Sequence, residues 1–366
     1  MLRFVDDTSP GIIRKRRGRY WMYFDPNGDR ITDRDEIDRL NGIGMPPAYE
    51  RCWFCPHPNG HIQATGYDAR GRKQYRYHPQ FRAHKDSEKY ERLVAFGHAL
   101  PKLRRSVEED IGGKAISFDT VTAAVVRLID ATHMRIGNEE YAKENKSFGA
   151  TTLRNRHARI VGGKLKLSYA GKHGIKRTCV IDDRSLARIA RRTQDLPGQH
   201  LFECIGEEGD VRPVTSNDVN AYIKEVTGED FTAKDFRTWG ASVIAFEEMV
   251  KKASRKDRIN LKSMIEPVAE ALGNTPAISR KSYVHPALIE AAKDAGAIGE
   301  RKLPRSTKYM NAFERGFLEF LEALPKEQNK IATRIRSAAK ATAKSREQVE
   351  GGPAAGTPPS IEAQAA

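Results

Sequence analysis

The sequence predicts an α+β protein in which a small antiparallel β-rich domain precedes a larger, mainly helical domain that contains a β-hairpin. Short β-prone runs separated by turn residues occupy about the first 84 residues, and apolar residues take helical spacing from about residue 85. One stretch of strand-like alternation then interrupts the helical pattern. We therefore divide the chain into domains at 1–84 and 85–325 and a tail at 326–366, which is basic at first and then has the composition of a disordered segment.

The N-terminal domain reads as a series of strands and turns. The aromatic run Tyr20–Phe24 is β-prone, and the turn Pro26–Asp29 after it predicts a hairpin. Further elements are expected as one short helix, Asp33–Leu40, and as strands at Cys52–Cys55, Ile62–Thr65 and Lys73–Tyr77.

The larger domain is predicted from apolar spacing. One helix is expected over Asp119–Arg135 with Asp119 as its N-cap, and another after the cap candidate Thr232. Alternation over 165–169, a turn at 171–174 and a return over 175–181 predict the hairpin. Further helices are expected at Asp257–Leu272, Pro286–Asp294 and Met310–Leu324.

The composition indicates a polyanionic partner. The 366 residues include 63 Lys and Arg against 48 Asp and Glu, which gives a formal net charge of +15. This excess is larger than solubility usually needs, so it favours nucleic acid. No run approaches the roughly 20 apolar residues of a membrane span, and no secretory signal is evident. We expect a cytoplasmic protein without a membrane partner.

The cysteines do not predict a metal site. Cys52 and Cys55 form a CxxC pair, and His57 and His61 follow closely. Zinc sites usually separate their ligand pairs by a dozen or more residues, whereas these candidates lie side by side. We expect reduced thiols that serve as small core residues, and no metal.

Three basic runs are candidate DNA contacts. Arg14–Arg19 and Lys102–Arg105 are dense in cations, and Arg70–Tyr77 alternates cations with aromatic residues on a predicted strand. Any one run is more simply a solvated face. Together with the net charge they favour a surface that grips duplex DNA, in which Gln74 could read an adenine edge.

The candidate catalytic residues are dispersed along the chain. A Walker loop and an HExxH motif are both absent, so neither ATP use nor this type of metal site is indicated. The helical region instead carries Arg135, Lys172, Arg237, Asn274 and Tyr283 in separate segments. Each residue alone has an ordinary explanation as a salt-bridge partner, turn residue, helix cap or core residue.

Five segments carry a resemblance to a known family. The chain resembles the type IB DNA topoisomerases, in particular the small bacterial and poxvirus-like members, from about residue 12 to about 325. The segments are HIQATGYDARGRKQYRYHPQFR (61–82), RIGNEEYAKENKSFGATTLRNRH (135–157), AGKHG (170–174), TAKDFRTWGAS (232–242) and LGNTPAISRKSYVHP (272–286).

The resemblance implies roles for the dispersed residues. Tyr283 matches the nucleophile, Arg135 and Arg237 match the two active-site arginines, and Lys172 matches the hairpin lysine that acts as general acid. Nine residues before the tyrosine, where eukaryotic and poxvirus enzymes have histidine, this chain has Asn274. An amide can donate a hydrogen bond to a phosphoryl oxygen but cannot exchange protons near neutral pH.

The resemblance also implies the substrate and the architecture. Gln74, Tyr75 and Tyr77 match a Q-Y-x-Y strand that is laid in the major groove, and Tyr141 belongs to the R-x-G-x-x-x-Y segment as a DNA-binding residue. The implied activity is relaxation of positive and negative supercoils through a 3′-phosphotyrosyl intermediate without ATP, metal or cofactor. We expect a nucleoid-associated monomer whose two lobes form a clamp around double-stranded DNA.

Two other functions remain open from the sequence. A tyrosine recombinase uses a similar residue set, but it usually has histidine where this chain has Lys234, and it usually carries a helical DNA-arm domain. Composition alone would favour the other alternative, a non-catalytic basic DNA-binding or architectural protein.

Overall fold

The chain folds into two compact units that adjoin in sequence between Glu88 and Lys89. The structure is a computed structural model, and it describes residues 1–113, 115–206, 209–293 and 301–324. The first unit is built on an antiparallel sheet and the second is mainly helical, so the predicted α+β class is confirmed.

The first unit is a five-stranded antiparallel sheet with one helix. Its strand order is β2-β1-β3-β4-β5, which leaves β2 and β5 at the edges. The core is formed mainly by Ile12, Tyr23, Leu40 and Phe54. The elements are β1 (Ile12–Arg17), β2 (Tyr20–Phe24), α1 (Arg34–Gly42), β3 (Glu50–Phe54), β4 (Ile62–Tyr67) and β5 (Lys73–Tyr77).

The hairpin of this sheet differs from the expected one. The basic run Arg14–Arg19 contributes most of β1, which pairs with β2 through the tight turn between Arg17 and Tyr20. Apart from Gly18 the run consists of cations, so it lacks the apolar alternation that indicates a strand. The turn Pro26–Asp29 is present, but beyond it the chain makes only an isolated bridge between Phe24 and Arg30.

The second unit combines helices with a three-stranded sheet of order β6-β7-β8. The long helix α2 (Pro79–Gly112) leads into it. Its other elements are α3 (Phe118–Thr132), α4 (Glu139–Asn145), β6 (Ala158–Val161), β7 (Lys164–Ala170), β8 (Lys176–Ile181), α5 (Arg184–Gln194), β9 (Glu203–Ile205), β10 (Val211–Pro213), α6 (Ser216–Thr227), α7 (Ala233–Ser254), α8 (Leu261–Leu272), α9 (Pro276–Ser282), α10 (Pro286–Ala291) and α11 (Ala312–Glu322).

Helix α7 forms the centre of the second unit. The rings of Trp239 and Phe236 contact Phe96 of α2, and Trp239 also contacts Phe317 of α11. A Cβ on Gly97 would lie 2.6 Å from the Trp239 ring, so glycine allows α2 to approach α7 closely. Burial of these large rings stabilises the helix whose first turns carry Arg237.

Both ends of α3 and the number of strands next to the hairpin differ from the predictions. Ser117, not Asp119, caps α3, because its side chain accepts the Thr120 N–H. The helix ends at Thr132, since His133 takes the left-handed conformation with a φ of 51°, so Arg135 lies beyond the helix. The predicted hairpin carries a third strand, β6, which pairs with β7 and is too short to show alternation clearly.

The later helices are close to their predicted positions. Helix α8 begins at Leu261 instead of Asp257, because Asn260 caps it. Helices α10 and α11 lie inside their predicted ranges. The predicted end of α10 at Asp294 and the tail at 326–366 lie outside the described residues.

Candidate active site

Arg135 lies on an extended segment just beyond α3. Its carbonyl oxygen accepts the N–H of Ala150 at 2.9 Å. Two glycines allow this close packing: a Cβ on Gly149 would lie 2.5 Å from the Arg135 carbonyl oxygen, and Gly137 has a φ of 108°. A left-handed φ of this kind disfavours residues other than glycine. The backbone therefore fixes the point from which the Arg135 side chain starts.

Lys172 lies in the turn that joins β7 to β8. It begins a short 3₁₀ turn, Lys172–Gly174, and its side chain is exposed. The N–H of Phe148 donates to the carbonyl of Ala170 at 2.8 Å, which ties the end of β7 to the segment after α4. The predicted position of Lys172 at the hairpin tip is confirmed.

Arg237 belongs to the start of α7 and is only 4% exposed. One terminal nitrogen donates to the carbonyl of His133, and the other donates to the carbonyl of Leu272 at 3.2 Å. The guanidinium thus joins the residue that ends α3 to the end of α8. Burial lowers the pKa of Arg237, and the nearby charge of Arg135 lowers it further.

Asn274 and Tyr283 stand at the two ends of one short connection. Gly273 ends α8 in the left-handed conformation, and the Asn274 N–H donates to the carbonyl of Ala269 at 3.0 Å. Helix α9 follows, and Tyr283 is its C-cap, with an N–H that donates to Ser279 at 3.1 Å.

The fold brings these five residues together. The Arg135 Nη2 donates to Asn274 Oδ1 at 2.7 Å, and the Arg237 guanidinium carbon lies 5.0 Å from the centre of the Tyr283 ring. Arg135, Lys172 and Arg237 line one cavity of about 20 Å³ beside Gly273, the neighbour of Asn274. Separate elements therefore supply side chains to a single small region.

Two opposing effects act on the Tyr283 phenol. Burial alone would raise the pKa of Tyr283. The charge and hydrogen bonding of Arg237, followed by the charges of Arg135 and Lys234, outweigh burial and hold the pKa of Tyr283 below the ordinary value of 10.0. A lowered pKa increases the phenolate fraction, which makes the oxygen a better nucleophile near neutral pH.

The cavity has the character of an anion site. Its described lining includes four cations and no acidic residue, the fourth cation being Arg177 of β8. Arg237 Nε and Asn274 Nδ2 are buried and have no hydrogen-bond partner among the described residues. Buried unpaired donors are costly, and an oxyanion between them would satisfy both.

One contact at the site was not predicted from the sequence. The Ser242 hydroxyl of α7 shares its proton between the carbonyls of Thr238 at 2.9 Å and Tyr283 at 3.3 Å, and it accepts the N–H of His285 at 3.0 Å. Ser242 thereby fixes the backbone on either side of the nucleophile candidate. It lies within the segment 232–242 that carries the resemblance, but a serine inside a helix gives no signal of such a role.

The predicted DNA-binding strand lies at the edge of the first unit. Tyr75 and Tyr77 on β5 are exposed, and their rings stack with centres 5.9 Å apart and planes 7° apart. Gln74 donates to Asp68 at 3.1 Å. Since alternate residues of a strand face opposite sides, Gln74 lies on the face opposite to the two tyrosines.

Tyr141 lies in the second unit on α4 and is exposed. The side chain of Asn138 caps this helix by accepting the Tyr141 N–H at 2.9 Å. The seven-residue helix therefore presents an exposed aromatic ring close in sequence to Arg135.

Three features of the described part of the chain concern metal binding, its cysteines and membrane spans. It contains no group of three or more His, Cys, Asp or Glu side chains arranged to hold a metal ion. Cys52 and Cys55 are buried free thiols, and burial raises the pKa of both. Within the same ranges, no helix combines the length and apolar character that crossing a bilayer requires.

Comparison with known proteins identifies the family. The profile of the eukaryotic DNA topoisomerase I catalytic core matches residues 78–309, and that of the bacterial DNA topoisomerase IB N-terminal domain matches residues 20–68. The chain belongs to the type IB DNA topoisomerase family. It is therefore a DNA-binding enzyme of the isomerase class. The region matched by the bacterial N-terminal domain profile lies within the first unit, which is built on the five-stranded sheet.

Similar proteins include viral members of this family. DNA topoisomerase 1B of Acanthamoeba polyphaga mimivirus is 32% identical over 286 residues, which cover 75% of this chain and 85% of the relative. DNA topoisomerase I of Monkeypox virus is 25% identical over 240 residues, with 63% and 72% covered. A solved structure of the XerH site-specific recombinase bound to difH substrate aligns with a TM-score of only 0.33 at 19% identity, covering 54% of this chain and 52% of that one.

Proposed function

We propose that this type IB topoisomerase relaxes positive and negative supercoils by using Tyr283 to break and remake one DNA strand. The supporting observation is that Arg135, Lys172 and Arg237 line one small cavity, while Arg135 binds Asn274 and Arg237 lies against the Tyr283 ring. The phenol attacks the phosphodiester, a 3′-phosphotyrosyl bond forms, and the strand with the free 5′-hydroxyl rotates. Attack by that hydroxyl then restores the DNA.

The chemistry needs these residue types. Attack adds negative charge to the non-bridging oxygens, and Arg135 and Arg237 remain charged and offer several donors each. Asn274 adds an amide donor, which Arg135 orients through its hydrogen bond. Fixed donors of this kind each contribute about 3 kcal/mol to transition-state stabilisation.

The leaving group needs a proton from the protein. The 5′-oxygen is a poor leaving group as an alkoxide, and an ammonium on a hairpin tip can protonate it as it departs. We assign this role to Lys172. General acid catalysis of this kind contributes about 10²–10⁴-fold in rate.

No energy source or metal enters this scheme. The phosphotyrosyl bond conserves the energy of the phosphodiester, so resealing requires no ATP. Cationic side chains provide the charge stabilisation that metal ions give in many phosphoryl-transfer enzymes. We propose that the enzyme works as a monomer without nucleotide, metal or cofactor.

Duplex binding is assigned to residues of both units, of which Tyr75, Tyr77 and Tyr141 are exposed and Gln74 is half-buried. We propose that Gln74, Tyr75 and Tyr77 contact DNA from the edge strand β5, and that Tyr141 does so from α4. The domain limits 1–84, 85–325 and 326–366 stay predictions from the sequence pattern. We also propose that the two lobes form a clamp around DNA and that the enzyme is associated with the nucleoid in the cytoplasm.

A relaxation assay tests the proposal. The wild-type protein is expected to relax positively and negatively supercoiled plasmid in EDTA without ATP. Tyr283→Phe should abolish relaxation and still bind duplex DNA, because only the nucleophilic oxygen is lost. Strict dependence on magnesium or nucleotide, or full activity of the variant, would overturn the mechanism.

A further inference from the structure

We propose that Arg177 is a positioning residue for cleavage, which holds Asn274 in place by binding the last carbonyl groups of α8. This inference rests on the proposed function, since it assumes that Asn274 contacts the scissile phosphate. The resemblance assigns no role to Arg177, which lies on β8 beyond the hairpin tip.

The contacts of Arg177 are specific. Its Nη1 donates to the carbonyl of Glu270 at 3.0 Å, and its Nη2 donates to the carbonyl of Ala271 at 2.8 Å. Arg237 donates to the next carbonyl, that of Leu272. Two guanidiniums from two different elements thus bind three consecutive carbonyls at the end of α8. Cations at a helix C-terminus also interact favourably with its dipole.

Gly273 shows how closely Arg177 packs on the connection to Asn274. A Cβ at this position would lie 2.5 Å from Arg177 Nη1 and 2.6 Å from its Cζ. The φ of Gly273 is +61°, a conformation that also favours glycine. The guanidinium therefore covers the residue that turns the chain from α8 towards Asn274.

Asn274 depends on this support because its own hydrogen bonds are few. Its Oδ1 accepts from Arg135, while its Nδ2 has no partner among the described residues. The amide thus has one side-chain anchor, and the rest of its position comes from the backbone. Loss of the Arg177 contacts would let the end of α8 shift, and a displacement of about 1 Å can cost 10²-fold in rate.

An effect of Arg177 on cleavage through Lys172 has to be distinguished from the proposed effect through Asn274. Arg177 also lies on the hairpin, where it pairs across the strands with Tyr169, and a Cβ on Gly171 would lie 3.3 Å from its Cγ. It could therefore influence Lys172 instead of Asn274. A substrate with sulfur at the 5′-bridging position separates these routes, because the thiolate leaves without a proton and its cleavage does not need a general acid.

The experiment measures single-turnover cleavage of oxygen and sulfur substrates. Arg177→Ala should slow cleavage of both by a similar factor, between about 10- and 100-fold. Lys172→Ala should slow only the oxygen substrate. In the Asn274→Ala background, Arg177→Ala should cost no more than about 2-fold, because residues that act through one another are not additive.

Two further variants separate positioning from general stability. Arg177→Lys should recover only part of the rate, since one ammonium does not reproduce the planar fork that meets two carbonyls. Arg188 is a matched control, because it donates from α5 to the carbonyls of Ile111 and Gly113 at the end of α2. Arg188→Ala should lower the melting temperature and leave the cleavage rate unchanged.

Each alternative outcome has a defined meaning. Normal cleavage by Arg177→Ala, restoration of its rate by the sulfur substrate, or full additivity with Asn274→Ala would each overturn the positioning role. Failure of the proposed function is recognised separately: Tyr283→Phe would then keep its activity, whatever Arg177→Ala does.

Discussion

Around Tyr283, charge opposes burial and decides how reactive the phenol is. Lys234 is the exposed member of the three cations that lower the pKa of Tyr283, and it does not line the small cavity. Its effect is therefore an electrostatic one on the nucleophile, which a charge-removing substitution isolates.

We predict that Lys234→Gln shifts the pH profile of cleavage. The reactive form is the phenolate, so the single-turnover rate should rise with pH and level off above the pKa of Tyr283. In the wild-type enzyme this midpoint should lie below 10, and removal of the Lys234 charge should move it to higher pH. Lys252→Gln, at the other end of α7, is the matched control, because Lys252 lies ten residues, or about 15 Å along the helix, beyond the Ser242 that contacts the Tyr283 backbone, and solvent and salt largely screen a charge at that distance. An unchanged midpoint in Lys234→Gln would contradict this account.

At the scale of elements, the segment that carries Arg135 depends on contact between two glycines. A Cβ on Gly149 would lie 2.5 Å from the backbone nitrogen of Gly137. Backbone atoms cannot move aside as the end of a flexible side chain could. The position of Arg135 is thus set by the turn before Ala150 as well as by α3.

We predict that Gly149→Ala damages both stability and cleavage. The added methyl group has to displace the Arg135 segment, so the free energy of unfolding should fall by about 1–3 kcal/mol. Cleavage should slow by at least 10-fold because Arg135 is moved. Gly112→Ala, where nothing lies within 4 Å of the new Cβ, serves as the control. Normal cleavage by Gly149→Ala would show that Arg135 does not need this contact.

The sequence predicted elements with strong periodicity and missed those set by local capping. The strand Tyr20–Phe24, the helix after Thr232 and the hairpin tip at Lys172 were correctly placed. The end of α3 was not, because apolar spacing continues past Thr132 while the left-handed residue His133 stops the helix. Strand β1 was missed because a run of cations lacks the apolar alternation that indicates a strand.

At the scale of the whole molecule, the site could not be derived from spacing alone. Tyr283 and Arg135 belong to elements far apart in the chain, and nothing in their local sequences says that they meet. The resemblance placed them in one site, and the structure links them through intermediates: Arg135 binds Asn274 and shares a cavity with Arg237, and Arg237 lies against the Tyr283 ring. The supporting residues Ser242 and Arg177 had no local signal, because their partners are backbone carbonyls.

The net charge of the whole chain leads to a prediction about DNA binding. With a formal charge of +15, binding should release counterions from the duplex. The affinity of Tyr283→Phe for a duplex should therefore fall by about 10³-fold or more between 50 and 200 mM salt. The slope of log affinity against log salt concentration measures this, and an affinity that does not change with salt would contradict it.

The central claim is that Tyr283 forms the covalent bond to DNA, and mapping of the attached nucleotide tests it most directly. The enzyme would be incubated with a duplex whose cleaved strand loses a short 5′-hydroxyl fragment, digested with trypsin, and analysed by mass spectrometry. We predict a nucleotide linked through its 3′-phosphate to the peptide that contains Tyr283. Attachment to another residue, or no covalent product under conditions in which plasmid is relaxed, would contradict the account.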